Sequence, residues 1–160
     1  KHFPGYGNNA DTHQGAAADK RPYGVFISSD FIPFKAGIAA GAETVMISHT
    51  IVECMEPGVP ASLSPKVHAI LREELGFTGI IITDDLGMGA VKKYAANHAP
   101  AVLAVLAGND MLIVADAETA FNSILAAVNS GEIPSAVIDR AVFRILSWKL
   151  ARGIITDTGG

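Results

Sequence analysis

The sequence predicts a parallel α/β fold, and three observations carry that reading. Short apolar, partly β-branched runs alternate with longer stretches of helical character. The runs are centred near residues 47, 81 and 112, so successive centres lie 34 and 31 residues apart. That spacing holds one strand and one crossover helix, which makes neighbouring strands parallel. Hydrophobic residues are 49% of the 160-residue chain and charged residues only 18%, so much of it expects burial.

The elements follow in order. Residues 1–29 are rich in Gly, Asn, Asp and Ala and read as a long loop, which in a compact domain is usually functional or disordered. Asp30 is placed to cap a helix that runs to about Ala40 and stops at Gly41. Thr44-Val45-Met46-Ile47-Ser48 reads as a buried strand. Ser64-Pro65 is a cap followed by proline at the first helical position, with the helix reaching Leu75 before Gly76. Gly79-Ile80-Ile81-Ile82-Thr83 is the clearest strand. Helices are expected over 89–97 and 99–107, broken near Pro100 and ended by Gly108. Met111-Leu112-Ile113-Val114 is a third strand, followed by helices over 117–129 and 135–151. The last helix carries an apolar stripe of Ile138, Ala141, Val142, Ile145 and Trp148, with Arg140, Arg144 and Ser147 opposite. Two architectures fit: a doubly wound sheet, or part of a (β/α)8 barrel, which needs about 250 residues when whole.

Composition excludes several functions. The hydrophobic content excludes a disordered chain. Net charge is −4 and no Lys/Arg cluster stands out, which argues against a nucleic-acid partner or an anionic membrane surface. No apolar run approaches the roughly 18 residues of a membrane span. The single cysteine, Cys54, excludes an internal disulfide framework and a Cys-rich zinc site. No histidine pair has zincin spacing, so no metal is expected. No Gly-x-Gly-x-x-Gly follows a strand, and Ser48-His49 lacks a nucleophile elbow. The chain opens on Lys1 without an initiator Met or signal-type segment and reads as an excerpt starting inside a protein.

In parallel α/β folds, reactive groups sit where strands end. Three strand ends carry polar residues here: Ser48-His49, Thr83-Asp84-Asp85 and the region of Asp116. Asp84 follows an Ile-rich strand, a rigid mount that suits a nucleophile or base; the structural alternative is a helix cap. Successive strand side chains point opposite ways, so one of Asp84 and Asp85 is expected in each role. In Asp11-Thr12-His13 the carboxylate is placed to orient the imidazole, the alternative being a solvated turn. Lys1 and His2 are candidate ligands for a sugar or phosphate. His68 and His98 read as packing or surface residues, Cys54 as inert, and His49 is undecided.

Two segments together resemble glycoside hydrolase family 3, in particular its bacterial β-N-acetylglucosaminidases. One is Lys1-His2-Phe3-Pro4-Gly5-Tyr6-Gly7 with Asp11-Thr12-His13; the other runs from Ile70 through Thr83-Asp84-Asp85-Leu86-Gly87-Met88. Pro60-Ala61-Ser62-Leu63-Ser64 and Ala107-Gly108-Asn109-Asp110-Met111-Leu112 are also similar to family segments. The sequence departs from the commonest pattern at Tyr6, where His is frequent, at Asn8-Asn9, where Asp-Thr is frequent, and in a loop one residue shorter.

The resemblance implies the C-terminal half of a (β/α)8 TIM-type barrel, a partial catalytic domain over 1–160 with a catalytic loop region at 1–29 and βα units over 30–160. It implies Asp84 as nucleophile, His13 as general acid/base oriented by Asp11, and Lys1 and His2 as substrate-binding residues, with no cofactor. The implied activity is that of a retaining exo-β-N-acetylhexosaminidase acting on an N-acetylglucosamine-containing oligosaccharide or muropeptide, as in peptidoglycan recycling. Its compartment is left open between the cytoplasm and the cell envelope of a bacterium. A β-glucosidase or glycoside phosphorylase of the same family, and a non-catalytic sugar-binding module, are the alternatives. With the N-terminal half of the barrel missing, open sheet edges are expected at the strands of residues 44–48 and 111–114, and the 160 residues alone are expected to be inactive.

Overall fold

The computed structural model describes residues 1–7, 17–95 and 97–156. Strands and helices alternate. The main sheet has three parallel strands in the order β2 (Thr44–Ile47), β4 (Ile80–Asp85), β5 (Met111–Ile113). A smaller parallel pair joins β1 (Ala18–Asp19) to β3 (Ile51–Val52). The sequence places the three main strands to within a few residues.

The outer edge of β2 is not open. Phe3 bridges Ile47 in parallel, its N–H donating to the Met46 carbonyl at 2.8 Å and its carbonyl accepting from Ser48 N–H at 2.9 Å. Phe3 therefore lies alongside β2. This corrects the expectation of an open edge at residues 44–48, because backbone groups left unpaired there would be costly.

Residues 1–29 are also more regular than expected. Besides β1, they hold the start of helix α1 (residues 23–39), which passes from Tyr23–Val25 through a wide turn at Phe26–Asp30 into Phe31–Ala39. The helix therefore begins seven residues before Asp30, and Asp30 is not its cap. Phe26 and Phe31 are both buried and pull this Gly- and Ser-containing stretch into helix; tertiary burial overrides weak local propensity. The Asp30 carboxylate instead accepts two hydrogen bonds from Arg21, which also grips Asp19. Gly5 packs directly on Asp30: a Cβ there would collide with its carboxylate, and Gly5 has φ of +122°.

Helix α2 (residues 65–74) starts as the sequence predicts. Ser64 Oγ accepts from Val67 N–H at 3.1 Å, and Pro65 fills the first helical position. Helix α3 (Gly89–Tyr94) is shorter than expected, and α4 (Pro100–Ala107) ends at Gly108, whose φ of +113° only glycine adopts readily. Helices α5 (Ala117–Asn129) and α6 (Ser135–Ala151) have the expected bounds.

Burial alternates along β2 and, from Ile81 to Asp84, along β4, with Ile80 at the start of β4 also buried. Val45 and Ile47 of β2 and Ile81 and Thr83 of β4 are buried, and Phe3, Val45, Ile47 and Ile81 share one core with Phe31, Val67 and Leu71 of α1 and α2. The opposite face carries Met46, Ile82 and Met111, which are only half-buried and stand in one row by register.

Helix α6 differs from the sequence reading on two sides. Its packed stripe keeps Ile138, Ala141, Ile145 and Trp148, but Val142 is exposed, with Phe143 (73% exposed), Leu146 and Leu150 around it. Arg144 lies with the packed side, because it meets the buried Asp110 carboxylate at 2.9 Å, and Arg72 holds the other Asp110 oxygen at 2.7 Å. Ile81 N–H also donates to Asp110. Asp110 thus ties α2, β4 and α6 together at the amino-terminal ends of the strands. Asp110→Ala is expected to cost about 3–5 kcal/mol, because it leaves two guanidinium groups without their buried anion. Urea denaturation midpoints check this, and an unchanged midpoint would show the network to be solvated.

Candidate active site

The carboxyl ends of the strands gather the polar residues. Phe3 faces the helix-covered core, so His2, its neighbour, projects to the other face of the sheet, where Ile82 and Asp84 also lie. His2 Nε2 stands 3.8 Å from Asp84 Oδ2, and the side chains are 32% and 23% exposed. Tyr6 packs edge-on against the His2 ring at 5.8 Å between centroids. Lys1 is exposed and lines, with His2, Tyr6, Phe34 and Ile38, a groove of about 450 Å³ along the outer edge of the sheet.

Asp84 and Asp85 make different local contacts, and the expected helix-cap role is filled by neither. Asp84 Oδ1 accepts from Asp85 N–H at 2.9 Å, leaving Oδ2 on the His2 side. Asp85 Oδ1 accepts from Gly87 N–H at 2.8 Å and closes the turn after the strand. Neither caps α3, whose cap is Met88. Asp116 is a helix cap: it accepts from Thr119 N–H at 3.0 Å and from Thr119 Oγ at 2.7 Å, which holds its carboxyl below the usual range.

Two histidines are buried. His49 Nδ1 lies 2.7 Å from Ser62 Oγ and its Nε2 2.9 Å from the Asp85 carbonyl. Burial pushes its pKa below the ordinary value. His68 Nδ1 donates to the Ser64 carbonyl at 2.8 Å, a packing role consistent with its position on α2. His98 is exposed, as expected. Cys54 is exposed, and the partial desolvation of its sulfur raises its pKa, which disfavours the reactive thiolate. Sequence reasoning left His49 undecided and missed Ser62 as its partner. The only signal was the Pro60-Ala61-Ser62-Leu63-Ser64 run, and nothing in linear spacing pairs it with His49. The remaining members of the expected site, Asp11 and His13, lie outside the described residues.

Among the described residues, no three His, Cys, Asp or Glu side chains converge as a metal site requires, and no helix is long and apolar enough to cross a membrane.

A helix-backed parallel sheet carries a partly exposed carboxylate and a histidine at its strand ends. The chain belongs to glycosyl hydrolase family 3: the model of that family's N-terminal domain matches residues 1–148. A β-hexosaminidase of Stenotrophomonas maltophilia (strain K279a) is 40% identical over 162 residues, covering 98% of this chain and 46% of that protein. A β-hexosaminidase of Xanthomonas campestris pv. campestris (strain B100) is 36% identical over 159 residues, covering 98% and 47%. The chain thus spans about half the length of the curated relatives it matches. Among solved structures, a family 3 β-N-acetylglucosaminidase from Paenibacillus sp. str. FPU-7 superposes with a TM-score of 0.90 at 35% identity, covering all of this chain and 33% of that one. A β-N-acetylhexosaminidase from Beutenbergia cavernae DSM 12333 superposes at 0.76 with 32% identity, covering 93% and 46%.

Proposed function

We propose that the protein is a retaining exo-β-N-acetylhexosaminidase that removes terminal β-linked N-acetylglucosamine from peptidoglycan- or chitin-type sugars. The observation that carries this is Asp84, a half-exposed carboxylate mounted on the end of β4, with its Oδ2 turned towards His2. Relatives named β-hexosaminidase, aligned over 98% of the chain, support the substrate class. Their greater length supports reading this chain as part of a larger (β/α)8 barrel, of which we take it to be the C-terminal half. Residues 1–3 beside β2 would continue one way around it and β5 the other.

The reaction runs in two steps. Asp84 attacks the anomeric carbon while the bond to the leaving oxygen breaks. His13, oriented by Asp11, protonates that oxygen, and a glycosyl ester of Asp84 remains. His13 then takes a proton from water, which attacks the same carbon and releases Asp84. Lys1 and His2 bind hydroxyls of the sugar. An imidazole, with an ordinary pKa near ~6.5, needs less perturbation than a carboxyl to donate a proton near neutrality.

Comparing aryl β-N-acetylglucosaminide with aryl β-glucoside, and following the anomer first released by NMR, tests the reading. Preferred cleavage of the glucoside, or release of the inverted anomer, would overturn it. The histidine has its own test. His13→Ala is expected to lower kcat about 10²–10⁴-fold for poor leaving groups and far less for activated phenols, which need no protonation. Asp11→Ala should follow the same trend with a smaller loss. Equal losses for both kinds of leaving group would remove His13 from the acid role.

A further inference from the structure

We propose that His49 is a positioning residue for the nucleophile: it clamps the backbone of residue 85, and through it the carboxylate of Asp84, in a tautomer set by Ser62. The inference rests on the reading of Asp84 as nucleophile.

It starts from where the sheet stops. The β2–β4 register ends at Ile47↔Thr83, so Asp84 and Asp85 project one and two residues beyond the last paired strand position on that side. On the other side the β4–β5 register shifts between Ile82 and Asp85: Ile113 N–H donates to the Thr83 hydroxyl at 3.0 Å, and Leu86 N–H donates to the Ile113 carbonyl at 3.0 Å. Asp84 is therefore carried just past the end of the β2–β4 ladder and beside the register shift of β4–β5. His49, two residues past the end of β2, takes over: its Nε2 meets the Asp85 carbonyl at 2.9 Å. A side chain thus supplies the hydrogen bond that the neighbouring strand no longer supplies.

Proton placement follows from the partners. A carbonyl only accepts, so Nε2 carries the hydrogen. Full burial keeps the ring neutral, so Nδ1 accepts, and the Ser62 hydroxyl donates to it at 2.7 Å. Ser62 is itself held by main-chain bonds: its N–H donates to the Ser48 carbonyl at 2.9 Å, and its own carbonyl accepts from Asn109 Nδ2 at 2.8 Å. The chain of contacts runs from Ser62 through His49 to residue 85, whose N–H holds Asp84 Oδ1 at 2.9 Å. His49 and Ser62 are fully buried, so they act through Asp84 rather than on the sugar.

The rate of nucleophilic attack isolates this role. An activated ring-fluorinated N-acetylglucosaminyl fluoride reports it directly: the Asp84 oxygen bonds to the anomeric carbon, fluoride leaves with the electron pair, and the ester accumulates. Peptide mapping of the labelled full-length protein comes first; a label away from Asp84 overturns the nucleophile reading itself, whatever His49 does. With the label at Asp84, His49→Leu is expected to slow inactivation about 10²-fold, the usual scale for a reacting group displaced by about 1 Å. The inhibition constant of free N-acetylglucosamine should stay within about threefold, since no sugar contact is lost. His49→Gln, whose amide can donate to the Asp85 carbonyl, should recover most of the rate. Ser62→Ala should slow it about 3–10-fold by releasing the tautomer. Wild-type inactivation by His49→Leu, equal losses in the Leu and Gln variants, or a loss confined to sugar binding would overturn the proposal. If the Leu variant does not fold, Ser62→Ala decides: an unchanged rate overturns the clamp.

Discussion

Asp84→Asn is expected to lower kcat by about 10⁴-fold or more in the full-length protein while N-acetylglucosamine still binds. Removing a nucleophile removes the covalent route itself, and losses of that order are usual when such a group is deleted. The amide keeps the shape of the carboxylate, and its oxygen can still accept from Asp85 N–H, so the fold and the sugar contacts should survive. Pre-steady-state assays and isothermal titration with the free sugar separate the two effects. Asp85→Asn provides the contrast. Its oxygen can still accept from Gly87 N–H and close the turn, so its loss should be small by comparison. A variant order reversed between Asp84 and Asp85 would move the nucleophile by one residue without disturbing the family.

Residues 1–160 expressed by themselves are expected to be dimeric, molten or aggregated, and to hydrolyse no aryl β-N-acetylglucosaminide. Phe143 is 73% exposed and Phe121 64%, and Val142, Leu146 and Leu150 extend an apolar surface along α6. On the sheet, the row of Met46, Ile82 and Met111 is only half-buried. Each apolar side chain left in water forgoes about 1.5–3 kcal/mol, against a total stability of about 5–15 kcal/mol for an ordinary domain. A few such side chains are enough to unbalance the fold. The edge beside β2 is shielded by Phe3, so association is expected through the β5 edge and the α6 face rather than along β2. Gel filtration, near-UV circular dichroism and an activity assay read this out. A monodisperse, cooperatively melting and active monomer would contradict both the association and the half-barrel reading.

The parallel α/β class, the bounds of α5 and α6 and the place of the three main strands are legible along the chain, because those features are local. Strand runs, Ser64-Pro65 and Gly108 carry their structural meaning within a few residues. The Thr83-Asp84-Asp85 strand end was legible for the same reason: alternation along one strand separates Asp84 from the turn-forming Asp85. The rest follows from contacts between distant segments. Helix α1 begins at Tyr23 because Phe26 and Phe31 are drawn into a shared core, which no local propensity announces. Arg144 turns inward because Asp110, 34 residues away, waits there. His2 meets Asp84 because Phe3 pairs with β2 while β4 pairs with its other side. The His49–Ser62–Asp85 contacts join three segments whose pairing follows from where chains cross in space, and linear spacing holds no record of that.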